Sequence, residues 1–330
     1  MEYTNTINTV NRLLTDEKEW VSRYRGYSEK IIGNQQKYEE GKKKFRVNPP
    51  LYLYTCIGNL IKNSSLQYDL RFLGQSIATI KVKNNTVYIT AGKKKTAGNI
   101  KYFDINIPLR EEYWNSYNAN KFRKAFKKCK DKRSHSDEHR IESSLLSEFK
   151  KNSRDEKVLC NIQPVLLANT FFQMATPIKA SKTDSISYSK QFGGGIDILS
   201  RVKHKDNSVR PCVMELKDEY STSEPPEKVM KQAVAYGTFI ARLLRSESGN
   251  SWYKLFGFSR AVPNELIVDV AIVMPLPTNK ELADFNMEKL KVCENTYLEL
   301  YTLYFIDNKT NNVNEYDYEF KGSLKDNMLP

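Results

Sequence analysis

Apolar residues recur along the chain in two rhythms, and the alternation between them sets out its elements. Residues 5–32 place Leu13, Leu14, Val21 and Tyr24 on one side at helical spacing, which predicts a helix. Pro49-Pro50 closes that region. Period-two alternation follows. Leu51–Thr55, Tyr68–Phe72, Ser76–Val82 and Thr86–Thr90 each predict a strand, with Asn84-Asn85 as the hairpin turn between the last two. Residues 100–107 predict a further strand. From Lys121 to Arg133 the helical rhythm returns, with Phe122, Ala125, Phe126 and Cys129 forming one apolar stripe.

A second series begins near Ser134. Asp137 to Lys151 predicts a helix with Ile141, Leu145, Leu146 and Phe149 on its apolar side. Gln173–Ala180, Ile196–Val202 and Pro211–Asp218 predict strands. Pro225-Pro226 opens a helix running to about Arg245, since proline suits the first helical turn. Leu266–Pro275 predicts a buried strand and Leu298–Asp307 another. The core order is helix, strand, strand, strand, helix, strand. The expected class is α/β, with an N-terminal α+β domain over 1–133 and a second domain over 134–330.

Composition narrows the function. Of 330 residues, 52 are Lys or Arg and 39 Asp or Glu, a net +13. Residues 1–133 carry +15 and residues 134–330 carry −2, so all the excess lies in the first part. Concentrated positive charge attracts polyanions, of which nucleic acid is the commonest. The basic residues form three clusters: Lys42, Lys43, Lys44 and Arg46; Lys93, Lys94 and Lys95 in an expected loop; and the helix from Lys121. On that helix Lys121, Arg123, Lys124, Lys127 and Lys128 surround the apolar stripe, as a segment lying along a phosphate backbone would require. A solvated linker helix has the same pattern. Five widely spaced cysteines with no C-x-x-C argue against a disulfide framework and fit a reducing, cytoplasmic setting. No apolar run reaches membrane-spanning length, and the N-terminus lacks a signal-peptide core.

The chemistry concentrates in Gly193–Tyr220. Alternate side chains of a strand face opposite ways, so Val213, Glu215 and Lys217 share one face while Cys212, Met214 and Leu216 share an apolar one. Asp197 alternates with Ile196 and Ile198 on the preceding strand. Placing Asp197 and Glu215 on one side requires a turn with an odd number of residues, such as the five from His204 to Ser208. Two carboxylates and a lysine on apolar strands suit a hard divalent cation such as Mg²⁺. A structural ion pair of Lys217 with Glu215 or Glu219 is the other reading. Gln232 and Tyr236 lie one helical turn apart on the sheet-facing side of their helix, with Phe239, Ile240 and Leu243. Gly193-Gly194-Gly195 permits close approach of another group to the backbone, and fits the start of a strand.

The arrangement Asp197, Glu215-x-Lys217 resembles the PD-(D/E)XK nuclease superfamily, over roughly residues 134–275. The following Gln232-x-x-x-Tyr236 resembles its RecB and lambda-exonuclease branch. Ile196 stands where the motif's name has proline. The resemblance implies a restriction-endonuclease-like core, a mixed central sheet flanked by helices. It implies that Asp197 and Glu215 bind Mg²⁺, with Mn²⁺ as a substitute, that Lys217 serves the attacking water, and that Gln232 and Tyr236 line the site. A further metal-reaching glutamate on the first core helix would be Glu142 or Glu148. They cannot both face the site, and Glu142, beside the apolar stripe, is preferred. The implied activity is a Mg²⁺-dependent nuclease acting on DNA. The alternative is a nucleic-acid- or partner-binding module that keeps the fold without cleavage.

Overall fold

The computed structural model describes residues 2–57, 66–92, 94–129, 137–150, 161–180, 185–219, 224–277, 281–283, 285, 289–308 and 318–329. Within them the chain is mixed α/β, with eight helices and two seven-stranded sheets. The expected first helix is two helices, α1 (Glu2–Asp16) and α2 (Glu19–Lys43). Trp20 explains the break: its indole N–H donates to the Leu14 carbonyl at 2.9 Å, satisfying one of the groups a helix end leaves without an intrahelical partner.

The strands β1 (Leu51–Cys56), β2 (Leu66–Phe72), β3 (Gln75–Lys83) and β4 (Thr86–Ala91) match the alternation. Asn84 and Asn85 turn the β3–β4 hairpin at φ 44° and 64°, the left-handed pair that a two-residue hairpin demands. The strand expected at 100–107 is instead the end of α3 (Lys94–Tyr102) and a loop, and Lys94 and Lys95 start that helix. Phe103 and Ile105 alternate as strand residues do, but Asp104 between them is left-handed at φ 51°. Strand β5 (Leu109–Tyr113) follows, then α4 (Tyr117–Lys128), whose first turn is capped by the Ser116 hydroxyl accepting from Ala119 N–H at 3.1 Å. Phe122 and Phe126 are fully buried, Phe126 against Phe72 and Phe103 and Phe122 against Phe126, each worth about 1.5–3 kcal/mol of burial.

After α5 (Asp137–Lys150) come β6 (Ile162–Pro164), β7 (Leu166–Leu167) and β8 (Thr170–Gln173). The single strand expected at 173–180 is broken into the end of β8, β9 (Ala175–Thr176) and β10 (Ile178–Lys179). Pro177 lies between the last two and offers no N–H to a ladder. The short β11 (Ser187–Tyr188) pairs with β10, and β12 (Gly194–Gly195) with β9. The first sheet runs β5-β4-β3-β2-β1-β8-β7. It is antiparallel except at β1–β8, where residues 54–56 pair in parallel with 171–173. The expected boundary after residue 133 falls outside the described residues, and the first sheet draws strands from both sides of it.

The second sheet holds β13 (Ile198–Lys203), β14 (Val209–Leu216), β15 (Leu266–Pro275), β16 (Leu290–Cys293), β17 (Thr296–Asp307) and β18 (Tyr318–Lys321). Its order is β16-β17-β15-β14-β13-β6, with β18 also on β17. β13 pairs antiparallel with both β6 and β14, and β14, β15 and β17 are parallel. The crossover from β14 to β15 is α6 (Pro226–Leu244), followed by α7 (Gly249–Leu255); α8 (Ser323–Asn327) lies near the C-terminus. α6 covers one face of the sheet and is itself covered by α1. α5 lies over the other, where Ile141, Leu145, Leu146 and Phe149 join Cys212, Met214 and Leu216 in one apolar cluster.

Candidate active site

The β13–β14 hairpin sets the geometry. Pairing from Ile198↔Met214 to Lys203↔Val209 is regular, and five residues, His204 to Ser208, make the turn. Continued one step, that register sets Asp197 opposite Glu215, as the odd turn requires. The Leu216 N–H donates to Asp197 Oδ2 at 2.9 Å and ties the two strand ends together. Glu215 is 2% exposed, Lys217 is buried, and Asp197 keeps a solvent-facing edge within a dense shell of protein.

These charges influence one another strongly. Burial pushes the Asp197 carboxyl up to about 7, with Glu142 adding to the rise and the Leu216 N–H opposing it. Glu215 is held well above the usual carboxylate range, first by burial and then by the neighbouring Asp197 carboxyl. Burial alone would lower Lys217, but Glu138, Glu215, Glu224 and Asp197 outweigh it and hold the ammonium above its ordinary value. Among the described residues, Lys217 has its ion-pair partners in Glu138 at 3.9 Å and Glu224 at 3.7 Å, rather than the Glu215 or Glu219 of the alternative ion-pair reading.

α6 brings Gln232 into the site and sets Tyr236 beside the Gly193–Gly195 run. The Gln232 amide donates to Glu215 Oε1, which orients that carboxylate. Tyr236 is buried one turn on, among Phe239, Ile240 and Leu243. Its hydroxyl fills the space beside Gly194, where a Cβ would lie 2.1 Å from it, so the glycine run serves close approach by this tyrosine. α5 supplies Glu142, 3% exposed and near enough to Asp197 to raise it, while Glu148 is half-buried two turns away. Glu138, one turn before Glu142, also faces Lys217, though nothing in the apolar pattern singles it out.

The first sheet contributes a residue that sequence reasoning missed. Arg71 on β2 is 5% exposed. Its Nε donates to Asp69 Oδ2 at 2.9 Å and its second terminal nitrogen to Gln173 Oε1 at 2.6 Å. The guanidinium lies 4.0 Å over the Tyr54 ring and 3.8 Å from Glu142 Oε1, while His139 Nδ1 stands 3.3 Å from Glu142 Oε2. One arginine thus couples the first sheet to Glu142 on α5. An isolated arginine inside a strand carries no sequence signal for this; the contact exists only because α5 lies close to the first sheet.

On α4, Lys121, Lys124, Lys127 and Lys128 are exposed, and three of them line a cavity of about 410 Å³ with Tyr117 and Asn120. Arg123 turns inward instead. It stacks 3.8 Å over Trp114 and donates to the Trp114 carbonyl at 2.6 Å and to Asn120 Oδ1 at 2.7 Å. It holds the fold together and leaves the lysines as the outward charges.

The fit to a divalent cation rests on unsatisfied oxygens. Glu215 Oε2 and Glu142 Oε1 are buried without a hydrogen-bond partner, which is costly for a carboxylate. Glu142 raises the proton affinity of Asp197 and Asp197 that of Glu215, and this set of carboxylates, with two such atoms among them, matches the donor chemistry of Mg²⁺. Among the described residues no three His, Cys, Asp or Glu side chains are drawn together into a ready-made cage, so a cation would have to draw the acids closer. No protein-family model, curated protein or solved structure matches this chain.

Proposed function

We propose that the protein is a Mg²⁺-dependent nuclease of the PD-(D/E)XK type, acting on DNA. The observation that carries this reading is the convergence of Asp197, Glu215 and Lys217 at the β13–β14 end, with Glu142 beside them. The topology supports the reading: setting aside the short strands β7–β12, a helix, an antiparallel run β6-β13-β14, a crossover helix and a strand parallel to β14 follow in the order that a restriction-endonuclease-like core would require.

Asp197 and Glu215 would hold the cation, and Glu142 would complete the set. Bound Mg²⁺ supplies Lewis-acid stabilisation of charge developing on the phosphate. The chain's own residues supply the rest. Gln232 fixes the Glu215 carboxylate, so that its other oxygen is presented without a rotamer search. Lys217, kept charged by its ring of carboxylates, places an ammonium beside the phosphate under attack and orients the water. Arg71 holds Glu142 against its neighbours. Hydrolysis adds water across one P–O ester bond, leaving a phosphate monoester and a hydroxyl end.

The test is cleavage of linear and circular DNA, and of RNA, with Mg²⁺, Mn²⁺ or EDTA, beside titration of Mg²⁺ binding by calorimetry. Asp197→Asn should lower cleavage by about 10²-fold or more and weaken metal binding. A folded wild-type protein that neither binds Mg²⁺ nor cleaves any of these substrates would overturn the reading. Metal binding without cleavage would favour a binding module on this fold.

A further inference from the structure

The basic run at the end of α2 takes no part in the site above, yet it lies at a cavity of its own. α2 continues to Lys43, so Lys42 and Lys43 occupy its last turn. A cleft of about 690 Å³ opens there. Lys42, Lys43 and Arg46 line it, with Glu39 as the acid among its lining residues, and the β7–β8 hairpin closes it at Asn169.

Two lysines from distant elements converge on that hairpin. The Lys42 ammonium donates to the Asn169 carbonyl oxygen at 2.6 Å, and Lys150, the last residue of α5, donates to the same oxygen at 3.2 Å. The two ammonium groups are therefore at most about 6 Å apart, a distance at which like charges repel. A neutral carbonyl oxygen does not cancel that repulsion. Partial burial, with the repulsion adding to it, pushes Lys42 down to about 8. The acceptor is firmly held: Ala168 and Asn169 form a left-handed two-residue turn at φ 48° and 61°, closed by Leu167↔Thr170.

Paired cations on a rigid acceptor are completed by an anion with several oxygens, and a phosphate group has that chemistry. The cleft is far larger than one phosphate, and two more basic side chains extend it. Along α5, Lys150 lies about 12 Å from Glu142, at 1.5 Å per residue, so one backbone strand could reach both.

We infer that this cleft seats the phosphodiester backbone of a nucleic acid, with Lys42 and Lys150 holding one phosphate and Lys43 and Arg46 its neighbour. The seat extends the function proposed above and does not depend on it, since seating requires no cleavage.

The test uses the full chain in EDTA with a short fluorescein-labelled DNA duplex, binding being followed by anisotropy across a salt series. Lys42→Gln with Lys150→Gln should weaken binding about tenfold at moderate salt. It should lower the slope of log affinity against log salt by roughly 0.9, since the two lysines share one phosphate. Lys254→Gln, on α7, should change neither. Amine acylation of the wild-type protein, read by mass spectrometry, avoids dependence on how the variants fold: DNA should protect Lys42 and Lys150. An unchanged slope together with unprotected lysines would overturn the seat. Protection by inorganic phosphate but not by DNA would assign it to a free anion and overturn the nucleic-acid occupant. Failure of the nuclease reading would register separately, as absent cleavage in Mg²⁺ with protection by DNA intact.

Discussion

At the scale of single residues, the site turns on two buried carboxyls, Asp197 and Glu215, whose proton affinity burial raises despite the Lys217 ammonium beside them. Asp197 has a folded pKa of about 7 and Glu215 a raised one, both above the roughly 4 of an unfolded carboxyl. The folded state then binds more protons than the unfolded state across that interval, so stability declines as pH rises through it. In EDTA, the melting temperature should fall between about pH 5 and pH 8, and Mg²⁺ should restore more of it at the upper end. Asp197→Asn should flatten both trends in scanning fluorimetry. A metal-free melting temperature independent of pH would mean that these carboxyls titrate as exposed groups do. Lys217 gives a second prediction. Lys217→Met keeps much of the apolar stem and removes the ammonium. Single-turnover cleavage should drop by about 10²-fold or more, while DNA affinity barely changes, because one phosphate contact among many contributes little. Near-wild-type cleavage would leave Lys217 as an ion-pair partner of Glu138 and Glu224.

At the scale of elements, helices here divide their faces between packing and charge. α4 buries Ala119, Phe122 and Phe126 and ties Arg123 to Trp114, which leaves Lys124, Lys127 and Lys128 turned outward. Substituting those three with Gln should keep the fold and make DNA binding less salt-dependent, the slope falling by roughly 0.9 for each phosphate that is no longer neutralised. Equilibrium binding over a salt series decides it; an identical slope would assign the helix to packing alone. α6 behaves in the opposite way. Fourteen of its nineteen residues are buried, because it lies between the second sheet and α1, and Gln232 is a half-buried polar position whose amide holds Glu215.

At the scale of the whole molecule, the two halves of the chain share their construction. β8, from beyond residue 160, pairs with β1, and α1 lies on α6 across more than two hundred residues of sequence. The largest apolar cluster includes Ile7, Val10 and Trp20 beside Phe239 and Trp252. A fragment beginning at residue 134 would expose the α6 surface that α1 covers and leave β8 without its parallel partner. It should therefore fail to give a cooperative unfolding transition, where the full chain does, by circular dichroism during heating. A cooperative melt from the fragment would show that the second sheet and its helices suffice. Among the described residues no helix is long and apolar enough to cross a membrane.

Local physics was enough for much of this. Alternation located β2, β3, β4, β14 and β15 and the face on which Glu215 and Lys217 stand, because strand side chains point alternately whatever surrounds them. Residue parity across the 203–209 turn was enough to require Asp197 on the same side as Glu215. Helical spacing placed Gln232 above the sheet and preferred Glu142 to Glu148. Where two rhythms coincided, pattern misled: Phe103 and Ile105 alternate like a strand but pack from a helix end and a left-handed turn. What only tertiary structure decided was which distant charges meet. The Arg71–Glu142 contact, the Lys217 partners on α5 and before α6, and the pairing of Lys42 with Lys150 join elements that share no local periodicity. Their energies come from burial and from opposed or like charges at short range. Those depend on how sheets and helices stack, a non-local outcome that no window of sequence contains.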